Sequence, residues 1–150
     1  MSYELVVVTA REDWERYHLI RRTELFEARH RNVVYDPDHP DEVKPNHTPL
    51  LLKFGGNGVG TTRLDLLGGG RAAIRLVAVT RAEQGKGHGR VLHDKVEAFA
   101  RAMGVAQLVV NAAPEALGYY RRMGFVPEEW DAAELAGIAK DCIQMTKLLR

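Results

Sequence analysis

The sequence predicts one α/β domain, a mixed and mostly antiparallel sheet with flanking helices, and three observations predict it. Leu50 to Val79 reads as three β-rich runs separated by Gly55-Gly56-Asn57-Gly58 and Gly68-Gly69-Gly70. Such turns suit residues that tolerate positive φ, so the three runs form an antiparallel meander. Ala72 to Val79 then leads through a glycine-rich turn into a helical pattern and on to Val105 to Asn111. That is a β-α-β unit, whose strands pair in parallel through a right-handed crossover. Lys140 to Leu149 reads as a closing strand, and 150 residues suffice for a single core.

In chain order, Tyr3 to Thr9 is apolar and β-branched and reads as the first strand. From Ala10 to Arg31, Trp14, Tyr17, Ile20 or Arg21, and Leu25 or Phe26 recur every third or fourth residue. This predicts one long helix or two short ones packed on the sheet. Thr9 is the candidate N-cap, and Asp13 in the first turn suits the helix dipole. Asn32 to Pro49 carries Pro37, Pro40, Pro45 and Pro49 and is read as a loop, solvated or lining an acceptor pocket. Its Asp36, Asp38, Asp41, Glu42, His39 and His47 show no metal-ligand spacing, and no metal is expected. Leu50 to Phe54, Val59 to Leu67 and Ala72 to Val79 are the meander strands. Gly87 to Met103 is an amphipathic helix stopped at Gly104, with Leu92, Val96, Phe99 and Ala100 at helical spacing. Pro114 opens a short helix that stops at Gly124, Phe125 and Val126 begin a strand, and Asp131 to Gly137 is a loop or one helical turn.

Composition narrows the classes of function. With 45% hydrophobic and 27% charged residues the chain is of ordinary globular type. Its 21 basic and 20 acidic residues give a net charge of +1, no general footprint for nucleic acid or an anionic membrane. The single Cys142 has no partner for an internal disulfide or a metal-ligand pair. Leu5 to Val8 is too short for a signal-peptide core and no apolar run is of membrane-spanning length, so the expected compartment is the cytosol. An open sheet edge leaves room for a homodimer.

The chemistry concentrates at Gln84-Gly85-Lys86-Gly87-His88-Gly89-Arg90. Alternate glycines let the backbone approach a ligand, and a helix opening directly after them presents unpaired N–H groups and a positive dipole end. Together these make an anion site, with phosphate the usual anion. The glycine spacing is wrong for the dinucleotide fingerprint, and G-x-x-x-x-G-K-[ST] is absent. The competing readings are a plain surface loop and a nucleotide site.

At these residues the chain resembles the GNAT superfamily of acyl-CoA-dependent N-acetyltransferases. The resemblance rests on Leu76-Val77-Ala78-Val79, the pattern [RQ]-x-x-G-x-[GA] at Gln84 to Gly89, and A-x-x-[FY]-Y-x-x-x-G-F at Ala116, Tyr119, Tyr120, Gly124 and Phe125. Met145-Thr146-Lys147-Leu148 is similar to the family's last strand. A weaker likeness, in Arg22 to Phe26, the acidic loop, His47 and Gly60 to Leu64, points to the ElaA-like branch.

The resemblance implies a central parallel strand pair that splays apart. Backbone groups of Val77, Ala78 and Val79 would bind the pantetheine arm of acetyl-CoA, the cosubstrate, with the Val79 N–H at the oxyanion. The N–H groups of Gln84, Gly85, Lys86, Gly87, His88, Gly89 and Arg90 would hold the diphosphate, and Asn111 is a candidate contact to the pantetheine. It also implies that Tyr120 protonates the departing thiolate, with Tyr119 packing beside it. A thiol titrates near pKa ~8.5 and a tyrosine near ~10, so the tyrosine holds a proton to give at neutral pH. Many relatives carry a glutamate base on the strand before Val79, whereas here the only charge on Ala72 to Val79 is Arg75. Asp65, Glu42, His47 or a water is left for that role. Alternation places Arg75 on the face of Val77 and Val79, paired with an acidic acceptor or with Asp65. The expected function is acetyl transfer from acetyl-CoA to a primary amine by direct attack. The alternative is a non-catalytic acyl-CoA-binding or regulatory module on the same fold.

Overall fold

The computed structural model describes residues 2–27, 33–81 and 85–149. Among the described residues seven strands form one sheet in the order β1-β2-β3-β4-β5-β7-β6. They are β1 Tyr3–Val7, β2 His47–Phe54, β3 Asn57–Gly68, β4 Arg71–Val79, β5 Gln107–Ala112, β6 Val126–Pro127 and β7 Ile143–Leu148. Only β4 and β5 pair in parallel; every other neighbouring pair is antiparallel. The helices are α1 Arg11–Arg21, α2 His88–Ala102 and α3 Leu117–Arg122. None of the described helices is long and apolar enough to cross a membrane.

The sheet is buried on both faces. Leu50 and Leu52 pack with Leu92, Val96 and Ala100 of α2, while Leu51 packs with Tyr17 and Ile20 of α1. All three leucines are 0% exposed, which is why this segment is an unbroken apolar run rather than an alternating one. We expect Leu52→Ala to cost about 2–5 kcal/mol, because the site is enclosed and cannot collapse freely. Equilibrium unfolding in urea measures it, and a loss below ~1 kcal/mol would contradict the enclosure.

Both meander turns are two-residue glycine turns. Gly55 and Gly56 stand at φ 58° and 84°, and Gly69 and Gly70 at φ 63° and 77°, the positive values that match the twist of a hairpin. Gly87, at φ 83°, is the N-cap of α2, the helix that closes the crossover to β5.

Several elements differ from the sequence reading. Thr9 does not cap α1: Ala10 holds that position without a side-chain cap, because the Val8 N–H still bonds the Pro49 carbonyl and the chain turns later. Past Arg21 the helix widens into a π-helical turn over Arg22–Glu27; the end of the expected helix, residues 28–31, lies outside the described residues. Strand β2 begins at His47, three residues early. Pro49 is accommodated because it lies beyond the last β1 partner, Val7 opposite Leu50, where a missing donor is tolerated. The stretch before it holds a 3₁₀ turn, Pro40–Val43.

The largest correction concerns β4. Arg75 opposes Arg63 and Ala78 opposes Thr61, so two residues of β4, Leu76 and Val77, face one of β3. Leu76 takes φ 53°, the one positive φ among the described non-glycine residues. This bulge breaks the alternation. Arg75 therefore shares the α1 face with Ala78, not the face of Val77 and Val79, while Val77 packs toward α2.

Candidate active site

Strands β4 and β5 are in register only from Arg71 opposite Gln107 to Ile74 opposite Val110. Beyond that pair β4 bends through the bulge and β5 stays with β7, so the two strands part. The fork opens a cleft of about 290 Å³. Its walls include Leu76 and Val77 on one side and Val110 and Asn111 on the other, with Leu25 above and Tyr120 below. The cost of holding Leu76 at positive φ, of order 1–3 kcal/mol, falls at the point where the strand turns away.

The glycine turn lies between the end of β4 and α2. Gly85 and Gly87 hold φ 80° and 83°, and a Cβ built on either meets nothing within 4 Å. Gly87, the N-cap of α2, has no side chain to cap it, and the first turn of the helix holds no acidic residue. The N-terminus thus presents donors and a positive dipole end, the arrangement that accepts a phosphate. Gln84, expected to join this cradle, lies outside the described residues. His88 turns its ring inward, where Nδ1 lies 2.6 Å from the Tyr3 hydroxyl and the ring leans against Phe54, 5.0 Å between centroids. It ties the turn to β1, so the group it offers a ligand is its backbone N–H. Arg90 is mostly exposed, with Asp94 at 3.7 Å one turn along. Gly89 has a packing reason: a Cβ there would stand 3.3 Å from the Tyr119 ring.

The two adjacent tyrosines divide their work, as their angular separation on a helix requires. Tyr119 donates to the Gly89 carbonyl at 2.8 Å, and burial pushes its hydroxyl up to about 12. It fastens α3 to α2. Tyr120 is buried against Phe125 and Tyr119 and lines the cleft.

The three candidate bases are brought together, but outside the cleft lining. Asp65 accepts two bonds from Arg63 and one from Arg75, with His47 Nε2 at 3.4 Å. Glu42 accepts from the Tyr17 hydroxyl at 3.1 Å and from Arg21. His47 Nδ1 sits 2.6 Å from the Asp41 carbonyl. These groups form one buried ion cluster of the α1 face. Burial pushes the Tyr17 hydroxyl far up. Burial also opposes the Arg63 charge, but its bonds and attraction to Asp65 and Glu42 outweigh that and raise it. Among the described residues no three His, Cys, Asp or Glu side chains gather as a metal-binding group.

The sequence reading missed Glu134, the one carboxylate among the residues that line the cleft. It sits on the 3₁₀ turn Ala132–Glu134 and accepts from Arg75 Nη1, from Arg75 Nη2 at 3.0 Å and from Asn111 Nδ2 at 3.1 Å. The Arg75 hydrogen bonds hold its carboxyl below the usual range. Asn111 is thereby committed: its Oδ1 accepts from Gln144 at 3.0 Å, so its side chain serves the chain's own network. The signal for Glu134 was Arg75, a lone charge in an apolar strand that had to find a partner.

A splayed parallel pair with a glycine-led helix N-terminus beside it suits a class of acyl-CoA-dependent transferase folds. The model of the Acetyltransferase (GNAT) family matches residues 7–125, and the chain belongs to that family. Solved structures agree on the fold. The chain is 16% identical to an acetyltransferase of the GNAT family from Staphylococcus aureus Mu50, with 99% of this chain and 100% of that one covered and a TM-score of 0.79. It is 14% identical to the PaiA N-acetyltransferase of Thermoplasma acidophilum in complex with coenzyme A, with 99% and 100% covered and a TM-score of 0.73. Against Escherichia coli ElaA the values are 16% identity, 97% and 98% coverage and a TM-score of 0.74.

Proposed function

We propose that residues 1–150 form one acetyltransferase domain that moves an acetyl group from acetyl-CoA to a primary amine by direct attack. The observation that carries this reading is the fork beyond Ile74 and Val110, which leaves a cleft lined by Tyr120. The diphosphate rests on the N–H groups of residues 84–90, and the pantetheine arm runs into the fork along Val77 to Val79. The amine nitrogen attacks the thioester carbonyl, the carbon–sulfur bond breaks, and Tyr120 gives its proton to the sulfur. The proton lost by the amine passes to water, since Asp65, Glu42 and His47 are tied into the ion cluster. The segments Arg22 to Phe26 and Gly60 to Leu64 support placing the chain in the ElaA-like branch.

A second reading has its own support. Strand β4 carries no carboxylate, and a non-catalytic acyl-CoA-binding module would need none. A panel of primary amines assayed for thiol release from acetyl-CoA separates the two. Amine-dependent release is the expected result; saturable acetyl-CoA binding with no release for any amine would favour the binding module.

A further inference from the structure

We infer that Glu134 is a positioning residue for the acyl donor, one that fixes the width of the fork; this rests on the acetyltransferase reading. Ile74 and Val110 are the last residues of β4 and β5 in register. The next residue along each strand is Arg75 and Asn111, and the Glu134 carboxylate joins these two across the gap. It therefore bridges the strands at the first position where the ladder no longer does.

The bridge is anchored from behind. Trp130 donates its indole N–H to the Val110 carbonyl at 3.1 Å, and its ring lies under the Arg75 guanidinium, 5.8 Å from centroid to carbon. Gln144, a buried residue of β7, fixes the segment that carries both. Its Oε1 accepts from the Trp130 and Asp131 N–H groups at 2.8 and 2.9 Å, and its Nε2 donates to the Asp131 carbonyl at 2.7 Å. Arg75 is held on its other side by Asp65 at 3.2 Å. A two-pronged Arg–carboxylate contact sets distance and plane together, and at 21% and 26% exposure the pair is only partly screened by water.

Two strands that part leave backbone groups that can pair again and shut the slot, or drift wider. A carboxylate bolted between them removes both freedoms before the ligand arrives. Preorganisation of this kind raises affinity by sparing the ordering that binding would otherwise require. The effect belongs to the part of the ligand inside the fork, not to the diphosphate on the α2 turn some residues away.

The test compares two probes by calorimetry on the whole chain: acetyl-CoA, and adenosine 3′-phosphate 5′-diphosphate, which lacks the pantetheine arm. Glu134→Ala is expected to weaken acetyl-CoA about tenfold, a loss of ~1.4 kcal/mol, and to leave the nucleotide fragment unchanged. Glu134→Gln keeps one oxygen for Arg75 Nη1 and Asn111 but sets an N–H against Arg75 Nη2, so it is expected to recover only part of the affinity. Glu129→Gln, an exposed carboxylate of the same segment, is expected to change neither probe. Unchanged acetyl-CoA affinity in Glu134→Ala, or equal weakening of both probes, overturns the inference while leaving the acetyltransferase reading intact. Failure of the wild-type chain to bind either probe overturns both.

Discussion

Tyr120→Phe is expected to lower turnover with a reactive amine by about 10²–10⁴-fold, the range over which a positioned acid acts, while acetyl-CoA affinity stays within about twofold. The substitution keeps the ring that packs on Phe125 and Tyr119 and removes only the hydroxyl. In the proposed reading the donor is bound by the α2 turn and the fork, and the substitution keeps the ring that lines the fork. A loss of this size with affinity preserved is therefore specific to proton donation. Tyr119→Phe serves as the contrast. Its hydroxyl is spent on the Gly89 carbonyl, so that variant should alter the packing of α3 on α2 and with it donor affinity more than turnover. Steady-state kinetics together with calorimetry of donor binding checks both, and equal turnover in wild type and Tyr120→Phe would remove Tyr120 from the mechanism.

Glu42→Ala carries the largest expected effect on stability, about 3–5 kcal/mol. Glu42 is 7% exposed and Arg21 is 1% exposed, and the Arg21 guanidinium also stacks over the Tyr17 ring at 4.6 Å. Removing the carboxylate takes the anion from a buried cation and the acceptor from the Tyr17 hydroxyl. Leaving a buried charge uncompensated costs more than the pair itself contributes. Unfolding in urea gives the number. A loss under 1 kcal/mol would mean that Arg21 finds water or another anion in the variant.

The parts legible in the sequence were those specified locally. Paired glycines announced both hairpins, apolar periodicity announced α2, and glycines at alternate positions announced the turn that leads into it. Tyr119 and Tyr120 were separable by helix geometry alone. What stayed hidden depends on contacts distant in sequence. Nothing near Leu76 signals positive φ: no glycine, asparagine or proline stands there, so the bulge is imposed by pairing with β3 and the face of Arg75 was misassigned. Glu42, Asp65 and His47 looked like candidate bases because sequence shows charge but not partners, and folding brings Glu42 to Arg21, Asp65 to Arg63 and His47 to the Asp41 carbonyl. Glu134 lies in a stretch that reads as loop, 59 residues from the arginine it holds. Arg75 announced that a carboxylate was needed; only the fold says which one.

Backbone amide NMR during titration with coenzyme A tests the account where it is most exposed. The largest shifts are expected at the amides of residues 85–90, with a second group at Leu76 to Val79, saturating together at one ligand per chain. A titration that leaves those amides unmoved, whether through no binding or through binding elsewhere on the sheet, would contradict it.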